Sequence, residues 1–147
     1  LATENNATRM HSFLPDGIIN PKPALANGSL APDTCSPIIV GDRVFGTAFG
    51  EMYCLNLKDG MKTVWVAEDD MFFDHTNVIG GNSRVLVWTN SGDLLLLDAV
   101  ADEFKPLSHL RPFGNGKVDS MSHPAIMGNR LYLRGPSELV CFKLGGD

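Results

Sequence analysis

The feature that most constrains this chain is an internal repeat. From Thr34 to Leu57 and again from Met121 to Leu144 the sequence aligns without a gap at an offset of 87. Pro37, Ile39, Gly41, Arg43, Glu51, Cys54 and Leu57 each meet an identical residue, at Pro124, Ile126, Gly128, Arg130, Glu138, Cys141 and Leu144. Typical residue frequencies give only about one or two such identities by chance. Units repeated at this spacing bury their apolar faces against one another, so the repeat dictates architecture before it says anything about chemistry.

Within the first unit, short apolar segments at 38–40, 43–47, 51–56 and 63–66 are separated by Gly41 with Asp42, Phe49 with Gly50, and Lys58 to Gly60. That spacing describes an antiparallel meander of strands about four to six residues long. The middle unit offers 78–79, 84–89, 93–98 and 104–107, with turns at 80–83 and 90–92. Its run Leu94 to Leu97 has no readable period and suits a buried helix as well as a strand. The repeat decides for a strand, because Leu95 to Asp98 fall 42 residues after Tyr53 to Asn56. Pro106 has no ladder donor, which places the fourth strand on an outer edge. The third unit supplies 125–127, 130–134 and 138–144 and stops at Gly145, Gly146 and Asp147, one strand short.

Four strands in every 40 or so residues is the pattern of a β-propeller blade. The expected fold is all-β, a partial β-propeller of about three four-stranded antiparallel blades over 34–70, 71–115 and 116–147, the last one incomplete. Residues 1–33, broken by Pro15, Gly17, Pro21, Pro23 and Pro32, read as a polar loop or linker, or as part of a preceding blade. Three blades cannot close a ring that takes about four to eight. The chain is therefore expected to be a fragment of a longer protein, or to self-associate so that its open sheet edges are covered.

Charge narrows the partners. Twelve basic residues against 17 acidic give a net charge of −5, and the cations are scattered singly, so neither nucleic acid nor an anionic membrane finds a basic stripe. No apolar run approaches the roughly 18 residues of a spanning segment, so membrane insertion is not expected. Three cysteines are too few for a disulfide framework. Cys54 and Cys141 share one repeat position and read as two buried small apolar residues rather than a mutual disulfide. Asn6 and Asn27 each open an Asn-x-Ser/Thr glycosylation pattern, which also occurs often in plain polar loops.

The motif Ser-His-Pro-x-x-x-Gly-x-Arg-Leu-Tyr-Leu-Arg over Ser122 to Arg134, followed by Glu138 to Leu144, resembles the blade signature of bacterial PQQ-like, quinoprotein-type propeller repeats. Leu55 to Trp65 is similar to that family's Leu-Asp-x-x-Thr-Gly-Lys-x-x-Trp ending, with one residue inserted after the glycine. The middle blade keeps only Leu97, Asp98 and Ala99 of it. The resemblance covers the chain from near Thr34 onward. It implies a periplasmic or other extracytoplasmic bacterial protein. It extends both to non-catalytic scaffolds, such as the outer-membrane-protein assembly lipoprotein, and to quinone-dependent alcohol or sugar dehydrogenases. A dehydrogenase would need pyrroloquinoline quinone with calcium, and commonly an adjacent pair of cysteines, which this sequence lacks. The expectation is a non-catalytic binding or scaffold domain without a cofactor. The alternative is part of a dehydrogenase whose active site lies on other blades.

Candidate binding residues precede the first strand of each blade: Ser36, His75 with Thr76, and Ser122 with His123. In a propeller the first strand is innermost, so these residues would gather at one mouth of the central channel, where loops on a rigid scaffold commonly bind. The ligand expected there is a protein segment or a small polar or carbohydrate molecule. Ser36 and His123 could instead only satisfy backbone groups at the strand entry. Glu68, Asp69, Asp70 and Asp74 beside His75 form the densest acidic group, but consecutive carboxylates need not converge, and no metal site or catalytic residue is assigned.

Overall fold

The computed structural model describes residues 2–4, 7–115 and 118–145. Asn6, Gly146 and Asp147 lie outside the described residues. The strands run in chain order as β1 (Ala2–Glu4), β2 (Ala7–Met10), β3 (Leu25–Asn27), β4 (Ile38–Val40), β5 (Arg43–Ala48), β6 (Glu51–Asn56) and β7 (Lys62–Glu68). They continue as β8 (Thr76–Gly81), β9 (Arg84–Thr89), β10 (Leu94–Asp98), β11 (Pro106–Leu110), β12 (Ala125–Met127), β13 (Arg130–Arg134) and β14 (Leu139–Lys143). They form four antiparallel sheets, β1-β2-β3, β4-β5-β6-β7, β8-β9-β10-β11 and β12-β13-β14, each a simple meander. The last three are consecutive blades of a partial β-propeller. No helix among the described residues is long and apolar enough to cross a membrane.

The run Leu94 to Leu97 is strand β10, paired with β9 on one side and β11 on the other. Pro106 opens β11, an edge strand, where its missing N–H costs no ladder bond. The fourth strand of the middle blade begins two residues later than the sequence suggests, at 106 rather than 104, because Phe104 turns inward to pack on the rings of Trp65 and Phe72. Both complete blades have a register shift between the third and fourth strands, at Cys54/Leu55 and at Leu96/Leu97. These sites are one repeat apart. Val64 and Leu107 are the residues left over, so the bulge is a recurring feature of the blade.

Residues 1–33, expected as a polar loop or linker or as part of a preceding blade, supply β1, β2 and β3, strands of three or four residues, too short to show a period. Thr8 Oγ1 donates to the Leu30 carbonyl at 2.7 Å within this segment, and Asn27 Nδ2, donating to the Met61 carbonyl at 2.8 Å, ties the sheet to the first blade. One reading is corrected. Cys141 is exposed although its counterpart Cys54 is fully buried. Both sit on the face that looks toward the following blade; the second blade covers Cys54, and no described residue covers Cys141.

Alternation along the strands sorts every blade into two faces. Val44, Tyr53 and Leu55 face the N-terminal sheet with Leu30 and Met61. Phe45, Met52, Cys54 and Trp65 meet Val78, Val85, Val87, Leu95 and Leu97 of the second blade. Trp88 and Leu94 on the reverse side of that blade meet Leu131 and Leu133 of the third. Gly80 lies in β8 rather than in a turn, and only glycine fits there, because Ile38 and Val40 fill the space of a side chain, with atoms 2.5 and 2.3 Å from where a Cβ would lie. Arg43 donates to the Ala101 carbonyl and pairs with Asp102 at 2.6 Å, and Trp65 Nε1 donates to the same carbonyl at 3.3 Å. The first blade is thus hydrogen-bonded to the loop after β10.

Candidate binding site

The repeat sets the candidate residues in register. Arg84 opens β9 as Arg43 opens β5 and Arg130 opens β13, and the offset of 41 from Arg43 to Arg84 places Asn77, not His75, opposite Ser36. Ser36, Asn77 and His123 are thus the equivalent positions of the three blades, and Cys35, Thr76 and Ser122 are the positions before them. The backbones of Cys35 and Thr76 form a parallel bridge, so the segments leading into the first two blades run side by side.

Thr76 is fully buried and donates from Oγ1 to the Asp74 carbonyl at 3.2 Å. Ser36 is exposed and makes no hydrogen bond to the other four candidates among the described residues. Ser122 is half-buried and lines a cleft of about 340 Å³ with Asp119, Ser120, Arg134 and Pro136. His75 and His123 come together: their rings meet edge to face with centroids 6.4 Å apart, His75 half-buried and His123 exposed.

Around His75 the structure adds residues that the sequence reading missed. Asn77 pairs with Trp88, Thr76 with Thr89, and Asn90 N–H donates to the His75 carbonyl at 2.9 Å. In a pleated ladder such partners, and residues two apart, lie on one face. His75, Asn77, Trp88 and Asn90 therefore share the face that looks toward the third blade. Among the described residues the buried side-chain polar atoms with no hydrogen-bond partner are His75 Nε2, Asn77 Nδ2 and Oδ1, Trp88 Nε1 and Asn90 Oδ1. All five fall on this face. An unmade bond on a buried polar group costs about 1–3 kcal/mol, so gathering five in one place is unusual for a structural core.

The group mixes donors (Asn77 Nδ2, Trp88 Nε1) with acceptors (Asn77 Oδ1, Asn90 Oδ1), and Asn77 is only 2% exposed. Asn90 Nδ2 donates to Asp119 Oδ1 at 3.2 Å, and Asp119 N–H returns a bond to the Asn90 carbonyl at 3.0 Å, which pins the connection to the third blade beside the group. Such a set fits a neutral hydroxyl or amide better than an ion. The remaining histidines are engaged elsewhere, His11 with the Asn20 carbonyl and His109 with Asp93, each at 2.8 Å. Among the described residues no three ligand-type side chains converge as a metal would require. Of the acidic group, Asp69 caps the 3₁₀ turn Asp70–Phe72 by accepting from Met71 N–H at 3.0 Å.

No protein-family model and no curated protein matches this sequence. Among solved structures the chain is similar to BamB from Moraxella catarrhalis, with a TM-score of 0.62 at 18% identity over 97% of this chain. It is also similar to the N-terminal domain of Nup159, with a TM-score of 0.58 at 18% identity over 97% of this chain. The chain carries a β-propeller fold. It spans 49% of the BamB chain and 41% of the Nup159 chain, about half of each.

Proposed function

We propose that this chain is a non-catalytic binding or scaffold part of a larger propeller of the PQQ-like repeat type, located in the bacterial periplasm or another extracytoplasmic space. The family and the location rest on the blade motif from Ser122 to Leu144, and the likeness to BamB is in keeping with them at the level of fold. The observation that carries a binding role is the polar face of His75, Asn77, Trp88 and Asn90, with His123 set against it. Its donors and acceptors suit a polar side chain of a partner protein or a hydroxyl of a small polar or carbohydrate ligand. The rigid blade supplies orientation, and the unpaired groups discriminate, because a ligand that completes their bonds recovers the cost of burying them and one that does not leaves it unrecovered.

The test is a calorimetric titration of the full chain with neutral oligosaccharides and with short polar peptides, run beside pyrroloquinoline quinone plus calcium. A hydroxyl- or amide-bearing ligand is expected to bind, and Asn77→Leu and His123→Ala are each expected to weaken it about tenfold, as the loss of one or two well-made hydrogen bonds does. Quinone uptake with dye-linked dehydrogenase activity would contradict this reading. So would an affinity left unchanged by both substitutions.

A further inference from the structure

A second surface lies at the same end of the blades, beside the β5–β6 turn. Phe49 and Phe73 are 69% and 73% exposed, yet neither projects idly into solvent. They wall a cleft of about 170 Å³ whose floor is the buried Phe72, Thr47 and Ala48. Phe73 packs over Gly50, its Cδ2 atom 3.1 Å from where a Cβ would stand. Asp69 N–H donates to the Gly50 carbonyl at 3.0 Å, so the turn and the blade connection are held to each other.

The aromatic at 49 is not what the backbone requires. Phe49 has φ of 55° and Gly50 has φ of 85°, the left-handed pair of a two-residue hairpin turn that favours Asn-Gly or Asp-Gly. A bulky aromatic at positive φ is disfavoured. The corresponding turns of the other blades use small or turn-forming residues, Asn90 to Gly92 and Gly135 to Ser137. A large apolar side chain that is exposed, conformationally costly and unneeded by the fold marks a contact surface.

Charge selects the partner. Asp33 lines the cleft, and Glu68, Asp69, Asp70 and Asp74 are exposed on the adjoining connection. Over residues 34–76 the only lysines and arginines are Arg43 and Lys62, which open β5 and β7, and Lys58, in the turn between β6 and β7, all at the opposite end of the blade. Lys58 and Lys62 are moreover paired with Asp42 and Asp59, and Arg43 with Asp102. None of the five carboxylates near the cleft makes an ion pair among the described residues.

We infer that the Phe49–Phe73 cleft docks a basic peptide segment, with one aliphatic side chain seated between the two rings and flanking lysines or arginines facing Asp33 and the 68–74 connection. This surface is independent of the polar face around His75. The acidic rim opposes an anionic membrane and fits a cationic chain, and two exposed aromatics with a buried floor are the usual anchors of such a contact.

The experiment is fluorescence anisotropy on the full chain with a labelled peptide of alternating lysine and leucine. Controls are an alternating glutamate and leucine peptide, a lysine and serine peptide, and phosphatidylcholine vesicles. The lysine and leucine peptide is expected to bind, to weaken steeply with salt, and to lose at least about tenfold in affinity with Phe49→Asn combined with Phe73→Ser. Phe49→Asn places the residue the turn prefers, so the unfolding temperature of that single variant should stay level or rise. A fall in its binding then cannot come from unfolding. The proposal is overturned if the acidic peptide binds equally well or if the double variant binds like the wild type. Absence of binding to the lysine and leucine peptide, or vesicle binding lost with the same substitutions, overturns it too.

Discussion

The carboxylate of Asp93 is where a single side chain decides how an edge strand is held. His109 Nε2 lies 2.8 Å from Oδ1, Ser91 Oγ donates to Oδ2 at 2.8 Å, and Arg111 Nε is 3.4 Å from Oδ1. Burial alone would raise its pKa, but the bonds from His109 and Ser91 and the charge of Arg111 outweigh that and hold it below the ordinary value. A group whose folded pKa is depressed adds stability above its unfolded pKa, about 3.9 for an aspartate, and that stability is lost as pH falls through the folded value. Chemical denaturation of Asp93→Asn against wild type is therefore expected to show a deficit at pH 7 that shrinks progressively below about pH 4. A deficit constant down to pH 2 would show that Asp93 contributes by shape alone. His109 belongs to β11 and Asp93 precedes β10, so the contact between them staples the outermost strand of the second blade to its neighbour.

At the scale of the element, the bulge between the third and fourth strands separates residues that look alike in sequence. Leu97 is fully buried between the first two blades, while Leu107, left over at the bulge, is 42% exposed. Leu97→Ala is expected to cost about 2–5 kcal/mol and Leu107→Ser about 0.5 kcal/mol or less, measured by urea denaturation. Equal costs would mean that the register shift is misplaced. The strands and their order were readable from the repeat, because apolar runs set between turn residues recur at near-constant spacing. Strands of three residues such as β1 and β3 were not readable, since they are too short to carry a period, and β3 also follows closely on Pro21 and Pro23. The bulge itself was not readable either, because a one-residue surplus leaves composition unchanged and shows only in pairing.

At the scale of the whole molecule, the repeat does more than predict strands, because it assigns each position to one of two blade interfaces. Tyr53, Leu95 and Val140 face the preceding unit, and Cys54, Leu96 and Cys141 the following one. The candidate site was half legible for the same reason. His75 and His123 were visible as residues leading into inner strands, whereas Asn77 emerged only when Arg84 was aligned with Arg43 and Arg130. Trp88 and Asn90 needed the ladder itself, since nothing in sequence says that they share a face with His75. The surface left by this arrangement includes Met127 and Leu139, both exposed, on a third blade with no described neighbour beyond it.

Thiol labelling tests the stacking of blades most directly, since Cys54 and Cys141 hold the same repeat position and differ only in what covers them. Burial, partly offset by Arg43, pushes the Cys54 thiol up to about 11, and burial likewise raises that of Cys35. With isotope-coded iodoacetamide on the native 147-residue chain near pH 8, read by mass spectrometry at each cysteine, Cys141 is expected to alkylate fast. Cys54 and Cys35 should react only at the rate of local unfolding and catch up in denaturant. Native alkylation of Cys54 as fast as that of Cys141 would contradict the packing of the second blade against the first, and with it the propeller arrangement on which the binding surfaces rest.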